Sequence, residues 1–518
     1  NTRTKKIEDE IYICRKGWQM HSKIKIILGP PGTGKTENLL RIVDQELKNG
    51  TAPDRIAFVS FTTKATNEAR DRAKAKFNLT DKDLPYFCTL HAFGKRQMGF
   101  TKSEIMDSKD YGEFSDKYGV ELKRVTADWE DNGIVTTDNK YLRDINKSKM
   151  QDQELQEFYN NSNLDYAWDE LLWAYRSFED YKQTYNKFDF TDMLTQFVEF
   201  GSTPPLDVVI VDEAQDLTRL QWRMCKKIWD NSKRVYVSGD DDQAIFRWMG
   251  ADVEHLINME GEVSVLKQSY RCPLSVHKIA DNIVSRINKR RPKQWKPRDV
   301  EGEVRFHQDV DFVDMSEGNW LALATCGYML DDLQMNLKNL GLPYTVDNKL
   351  PIKESLIKAV SAWKRLEDQT ISYSDVMAIY SNLKVGEDIE RGYKGGKTLE
   401  ENKSYSLEEL VMHHGLIPSG QPWDVTFKSM GDTEKSYLQS LELHGGLDKK
   451  PKINLSTIHK SKGGQCDNVV LMTDLSRANQ DEMEINSDDT NRVFYVGATR
   501  AKKSLHIIQP QKERGFII

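Results

Sequence analysis

Gly29-Pro-Pro-Gly-Thr-Gly-Lys35-Thr36 sets three glycines, a lysine and a threonine at the spacing G-x-x-x-x-G-K-[ST]. Glycines 29, 32 and 34 let the backbone curl until its N–H groups point inward at phosphate oxygens, with Pro30, Pro31 and Thr33 completing the loop. Lys35 can then reach β and γ phosphates, and Thr36 can offer its hydroxyl to Mg²⁺. A Gly/Pro turn that merely carries a lysine would have the same text, so the flanks decide. The apolar run Ile24–Leu28 precedes the loop and the helix-capable stretch Glu37–Leu47 follows it. That order brings the positive end of a helix to the phosphates.

Four further stretches carry chemistry. Val208-Val-Ile-Val-Asp212-Glu213 ends an apolar strand in two acids. Asp212 would hold Mg²⁺ through water, and Glu213 would orient or deprotonate the attacking water of a nucleotide hydrolase. Two acids after a strand also suit a plain helix N-terminus; behind a phosphate loop, and followed by Ala214-Gln215-Asp216, they favour hydrolysis. In Gly239-Asp-Asp-Asp-Gln243-Ala-Ile-Phe246-Arg-Trp248, Gln243 can sense a γ-phosphate. Phe246 and Trp248 are either core residues or platforms for stacked bases, and the polar setting of Arg247 and Gly250 favours stacking. Tyr270-Arg271-Cys-Pro273 and Thr499-Arg500-Ala501 each place an arginine that is either a surface residue or a finger to transition-state charge.

The elements that must position these residues read as α/β. A short apolar strand over Ile56–Phe61, and strands over Val208–Asp212 and Arg234–Gly239 that end in acids or glycine, alternate with helices, as in a doubly wound parallel sheet. A second set lies at Val304–Phe306, Leu321–Ala324, Ile453–Ser456, Val469–Met472 and Leu505–Ile508. Residues 95–185 are charged, rich in Tyr and Trp, and helical in period from Leu155 to Tyr185, so they read as an insertion. The polar, Gly/Lys-rich residues 345–450 read as a second.

Composition narrows the classes. Hydrophobic residues at 38% and charged ones at 30% over 518 residues fit a multi-domain globular chain, and no apolar run approaches a membrane span. The cysteines (14, 88, 225, 272, 326, 466) form no Cys-x-x-Cys pair and read as reduced, cytoplasmic thiols, with no structural metal expected. A net charge of −6 argues against coating nucleic acid by bulk electrostatics but leaves a local groove open. The basic run Arg286–Arg298 is either a solvated face or a phosphate contact.

Taken together, nine stretches in order resemble the superfamily-1 DNA helicases of the UvrD/PcrA/Rep type: Gly29–Thr36, Ser60–Arg70, Thr89–Phe93, Asp189–Leu194, Val208–Asp216, Gly239–Ala251, Gln268–Pro273, Ser456–Gly463 and Tyr495–Ala501. The resemblance implies two RecA-like motor domains, residues 1–94 with 186–264 and residues 265–344 with 451–518, carrying inserted subdomains at 95–185 and 345–450, the latter shorter than usual. It implies ATP and Mg²⁺ as cofactors and single-stranded DNA and ss/ds junctions as partners, with movement 3′→5′. The ATPase set would be Lys35, Thr36, Asp212, Glu213, Gln243, Arg271 and Arg500, with Tyr270 stacked on adenine. Phe61, Thr62, Thr89, His91, Phe246, Trp248, Thr457 and His459 would line the DNA track. Gln19 is the candidate for the family's adenine contact, and Gln465 stands where an acidic sugar contact is usual. Trp248-Met249-Gly250-Ala251 replaces Trp-Arg-Gly-Ala.

Overall fold

The computed structural model describes residues 23–60, 63–122, 125–127, 135–137, 139–417, 421–428, 430–511 and 513–518. Gln19, Phe61 and Thr62 lie outside the described residues. The chain forms two compact units. The first comprises residues up to Cys272, Ile283–Asp299 and Ser487–Tyr495; the second comprises Pro273–Asn282, Val300–Asn486 and Val496–Ile518. No helix among the described residues is long and apolar enough to cross a membrane.

In the first unit six strands, β1 (Ile24–Leu28), β2 (Ile56–Ser60), β3 (Phe87–Thr89), β4 (Val208–Asp212), β5 (Arg234–Gly239) and β6 (Glu262–Val265), form one sheet in the order β3-β2-β4-β5-β1-β6. Every pairing is parallel. The central strands β2 and β4 are buried at every position because both faces are covered. Ile26, Leu28, Ala57, Val59, Val209, Val211, Val235 and Val237 join one core. Their alternates Ile27, Ile56, Phe58, Val208 and Ile210 join the core on the opposite face, with Leu39, Leu40 and Val43 of the helix Lys35–Lys48. Because β1, β5 and β4 are neighbours, their C-terminal ends bring Gly29, Gly239 and Asp212 side by side; Gly29 N–H donates to the Gly239 carbonyl at 3.0 Å.

Residues 95–185 contain the helices Ser108–Tyr118, Lys140–Met150, Leu155–Asn161 and Trp168–Tyr185, which bury a core of their own around Tyr111, Phe114, Ile145, Leu171, Phe178 and Tyr181. The helix Phe190–Phe200 that returns the chain to the sheet starts in a capping box, Asp189 accepting from the Asp192 N–H and Asp192 from the Asp189 N–H. Both carboxylates also bond Lys182, at 2.9 and 2.7 Å, on a side chain that is only 4% exposed. The Asp189–Leu194 stretch is therefore an anchor for the inserted helices.

The second unit repeats the architecture. Strands β7 (Glu303–His307), β8 (Trp320–Ala324), β9 (Tyr344–Val346), β10 (Ile453–Thr457), β11 (Cys466–Met472) and β12 (Ala501–Ile508) form a parallel sheet in the order β9-β10-β8-β11-β12-β7. Two parallel sheets with helices packed on them are the RecA-like pair that the resemblance implies. The segment 345–450 shares one core with this sheet: Leu356, Val360, Trp363, Ile379, Tyr380 and Leu438 pack in the same cluster as Ala322, Leu455 and Val470.

Two boundaries differ from the sequence reading. Residues 265–272 and 283–299, expected in the second motor domain, pack with the first, because Ser269 bonds the phosphate loop and Lys293 bonds Asp240–Asp242. Ser487–Tyr495 also joins the first unit, through Asp488 and Arg492.

Candidate functional site

The phosphate loop is held open by backbone geometry and fastened by its neighbours. Gly32 and Gly34 have φ of 70° and 76°, the left-handed region that favours glycine. At Gly29 the need is space: a Cβ there would lie 1.9 Å from Cγ of Lys35. The Lys35 side chain folds back over this glycine, its Nζ donating to the Gly29 carbonyl at 3.1 Å and standing 3.9 Å from Oε1 of Glu213. Thr33 Oγ1 donates to the Pro30 carbonyl at 2.8 Å, and Ser269 Oγ to the Pro31 carbonyl at 2.7 Å. Tyr270 N–H donates to the Gly32 carbonyl at 2.8 Å, leaving the Tyr270 ring 71% exposed. A Cβ on Gly32 would meet the Arg271 Cβ at 2.3 Å, so Arg271 leaves the chain directly against the loop.

Asp212 ends β4 fully buried. Burial pushes its carboxyl up to about 7; the adjacent Glu213 carboxylate adds to the rise and Lys35 opposes it. Its Oδ1 accepts from the Glu213 N–H at 2.9 Å, while Oδ2 is buried without a hydrogen-bond partner. A buried, unmatched carboxylate oxygen, with Thr36 in the first turn of the helix after the loop, fits a hard divalent cation taking oxygen ligands. Glu213 itself has φ 53° and ψ 40°, a left-handed conformation costly for a residue with a Cβ. That kink turns the side chain at the strand end, where Gln215 Nε2 donates to its Oε2 at 2.5 Å.

The loop after β5 connects to both. Gln215 Oε1 accepts from the Asp240 N–H at 3.0 Å, and Asp240 Oδ2 accepts from Gln243 Nε2 at 2.6 Å. A Cβ on Gly239 would approach Gln215 Oε1 to 2.7 Å, so the glycine leaves room for that amide. A few residues on, the turn Arg247–Met249 brings Trp248 to the surface at 54% exposure, beside a half-buried Phe246. Of the two fates open to Trp248 in the sequence, burial in the core is excluded.

The remaining track candidates divide. Thr89 caps the helix Leu90–Met98, its Oγ1 accepting from the Ala92 N–H. His91 lies inside the first unit, its ring edge-on to Phe190 and its Nε2 without a hydrogen-bond partner. Burial lowers its pKa from 6.5 to about 4. A base depressed on folding contributes stability that is present above pH 6.5 and is lost as pH falls toward 4. His91→Phe is expected to flatten this acid limb, retaining about 3 kcal/mol that the parent loses by pH 4; melting temperatures between pH 7 and 4 check it. Thr457, His459, Gln465 and Arg500 belong to the second unit. There Thr457 Oγ1 accepts from the Lys460 N–H, His459 is half-buried and Gln465 exposed. Arg500 is buried, its guanidinium donating to the carbonyls of Val496 at 2.9 Å and Gly464 at 3.1 Å.

Sequence reasoning missed Gln215 and Lys293. Gln215 stood inside a recognised stretch without a role, and its spacing from Asp240 gave no sign that the two meet. The signal for Lys293 was present: a dense basic run and three consecutive aspartates in one chain. In the structure Lys289, Arg290, Arg291 and Lys293 of that run are paired internally. Arg290 forms two bonds to Asp242, at 2.8 and 2.7 Å, and Lys293 lies among all three aspartates. Arg291 donates from its side chain to the Leu256 and Ile257 carbonyls.

Residues 15–264 match the UvrD/REP helicase N-terminal domain, and residues 398–512 match the UvrD-like helicase C-terminal domain. The chain is similar to the ATP-dependent DNA helicase PcrA of Bacillus subtilis (strain 168), at 22% identity over 57% of this chain and 42% of that protein. It is also similar to a probable DNA helicase II homolog of Mycoplasma capricolum, at 23% identity over 93% of this chain and 82% of that protein. A probable DNA helicase of Mycoplasma pneumoniae matches at 24% identity over 56% of each chain. The N-terminal match covers the phosphate loop, the Asp212–Glu213 strand end and the Gln243 loop, and the C-terminal match covers Arg500, so the chain belongs to the UvrD-like superfamily-1 helicases.

Proposed function

We propose that this chain is an ATP-driven translocase on single-stranded DNA that moves 3′→5′ and opens duplex DNA at ss/ds junctions during replication, repair or recombination. The observation that carries the reading is the loop from Gly239 to Gly250. One end, through Asp240 and Gln243, is bonded into the Glu213 network; the other presents Trp248 to solvent. A change at the γ-phosphate has only one short loop to cross before it reaches a stacked base.

In this reading the loop N–H groups and Lys35 hold the triphosphate, and Tyr270 stacks on adenine with Gln19 and Gln465 contributing to the nucleotide site. Thr36 and Asp212 would hold Mg²⁺, which would supply positive charge to offset that of the phosphates. Glu213 orients the attacking water and accepts its proton, while Gln243 senses the γ-phosphate and Arg271 and Arg500 meet the transition-state charge. Phe61, Thr62, Thr89, Phe246, Trp248, Thr457 and His459 form the DNA track, and the inserted segments are the sites for protein partners. His91 supports the track from beneath, given its burial.

Strand displacement on 3′-tailed, 5′-tailed and blunt duplexes, with and without ATP, tests the proposal. Opening of the 3′-tailed substrate alone, and only with ATP, is expected. Opening from the 5′ tail overturns the polarity, and DNA-stimulated hydrolysis without any opening reduces the protein to a translocase. Trp248→Ala should keep basal ATPase and its melting temperature while losing DNA stimulation and nearly all displacement, since the ring supplies about 1–3 kcal/mol of base stacking. A fall in melting temperature together with basal ATPase would show that the ring serves packing.

A further inference from the structure

Lys293 is enclosed among three consecutive aspartates of the first unit. Its side chain is 0% exposed, and Nζ lies 3.2 Å from Asp240 Oδ1, 2.5 Å from Asp241 Oδ1 and 2.8 Å from Asp242 Oδ2. Around it the aspartates are held by other groups: Arg290 on Asp242, the Arg291 N–H on Asp241 Oδ2 at 2.7 Å, and Arg492 Nε on the Asp241 carbonyl at 3.0 Å. Among the described residues Lys293 is the ion-pair partner of Asp240, and the second oxygen of Asp240, Oδ2, is the one that accepts from Gln243.

We propose that Lys293 is a positioning residue of the ATPase centre, its ammonium fixing Asp240 so that Asp240 in turn aims the amide of Gln243. The proposal rests on the reading of Gln243 as the γ-phosphate sensor. The chemistry follows from what Asp240 becomes without its cation. Burial already favours its protonated form, and Lys293 is the strongest influence opposing this. Once protonated, the carboxyl is a donor on one oxygen, and the Gln243 amide loses the charged acceptor that now sets which end faces the nucleotide. The same Asp240 backbone N–H bonds Gln215, whose amide holds Glu213, so the disturbance reaches two groups that act on the γ-phosphate. Lys293 does not itself touch the reacting atoms in this scheme; it acts through Asp240.

The test compares Lys293→Met with the charge-balanced double variant Lys293→Met/Asp241→Asn, measuring kcat and KM for ATP with saturating single-stranded DNA beside melting temperature. Lys293→Met leaves three buried carboxylates to one arginine and is expected to lose stability; the double variant removes one negative charge at an aspartate that does not contact Gln243 and recovers the melting temperature. If Lys293 positions Gln243, the double variant still loses about 100-fold in kcat with KM for ATP changed less than about 3-fold. Adding Lys293→Met/Asp241→Asn to Gln243→Ala should then cost nothing further. Recovery of kcat together with melting temperature would make Lys293 a charge-balancing residue and overturn the proposal, as would failure of both variants to show a native melting transition. Absence of DNA-stimulated hydrolysis in the parent protein would instead remove the functional reading on which the proposal stands.

Discussion

Replacing Lys35 by alanine lowers ATP turnover by about 10³-fold or more, because a positioned cation in a water-poor site has no substitute when charge moves between phosphate oxygens. The structure shows why the lysine is poised. Its Nζ rests on the Gly29 carbonyl, within 3.9 Å of Glu213, so it lies between the loop and the acid that would handle water. Gly29 makes that path possible, since any Cβ there would occupy the space of the lysine stem. Phosphate release in the presence and absence of single-stranded DNA measures the effect. DNA binding without nucleotide should survive, as the track residues are other groups, and turnover at the parent rate would refute the site.

Arg271→Ala comes next in size, with kcat expected to fall about 10³-fold if the guanidinium acts as a finger on transition-state charge. Nucleotide affinity should change much less. The segment that carries Arg271 is bonded to the phosphate loop through Ser269 and Tyr270, so removing the guanidinium leaves the loop fastened. Burial draws the pKa of Arg271 down, the mark of a cation held partly out of water before any phosphate arrives. Arg500 is the less informative target: its guanidinium also satisfies the carbonyls of Val496 and Gly464, so its loss disturbs packing as well as chemistry. Parallel losses in affinity and turnover for Arg271→Ala would recast it as a ligand of the ground state.

What the sequence made legible was local. The strand Ile24–Leu28 and the helix after the phosphate loop follow from an apolar run, three glycines and a helix-capable segment, all within 25 residues of one another. The strand ending at Asp212 is readable because it is apolar up to its last residue and buried on both faces, and the one ending at Gly239 by its alternating buried valines. Of the edge strands, Glu303–His307 was read at Val304–Phe306, but two others were not: Glu262–Val265 is mostly exposed and lacks the apolar signature, and Tyr344–Val346 sits where the second insertion was expected to begin. Pairings across long separations were also hidden. Nothing local says that Lys293 closes on Asp241, 52 positions earlier, or that Asp189 is as much an ion-pair partner of Lys182 as a helix cap. His91 was assigned to a surface track from its motif, whereas its side chain is set by the packing of two helices.

The two inserted segments differ in how they are tied to their sheets, and this gives them different cooperativity. The helices within 95–185 bury a cluster separate from either core of the first sheet, so they can open as a unit while the strands that carry Asp212 and Gly239 stay paired. The segment 345–450 has no such independence, because Leu356, Trp363 and Leu438 share one cluster with Ala322, Leu455 and Val470 of the second sheet. Amides of these helices and of the sheet should therefore exchange with solvent through one common opening. A cut within 345–450 would strip one face of the strands that lead to Thr457 and Arg500, so the second insertion is part of the second sheet's folding unit and the first is a guest on its own.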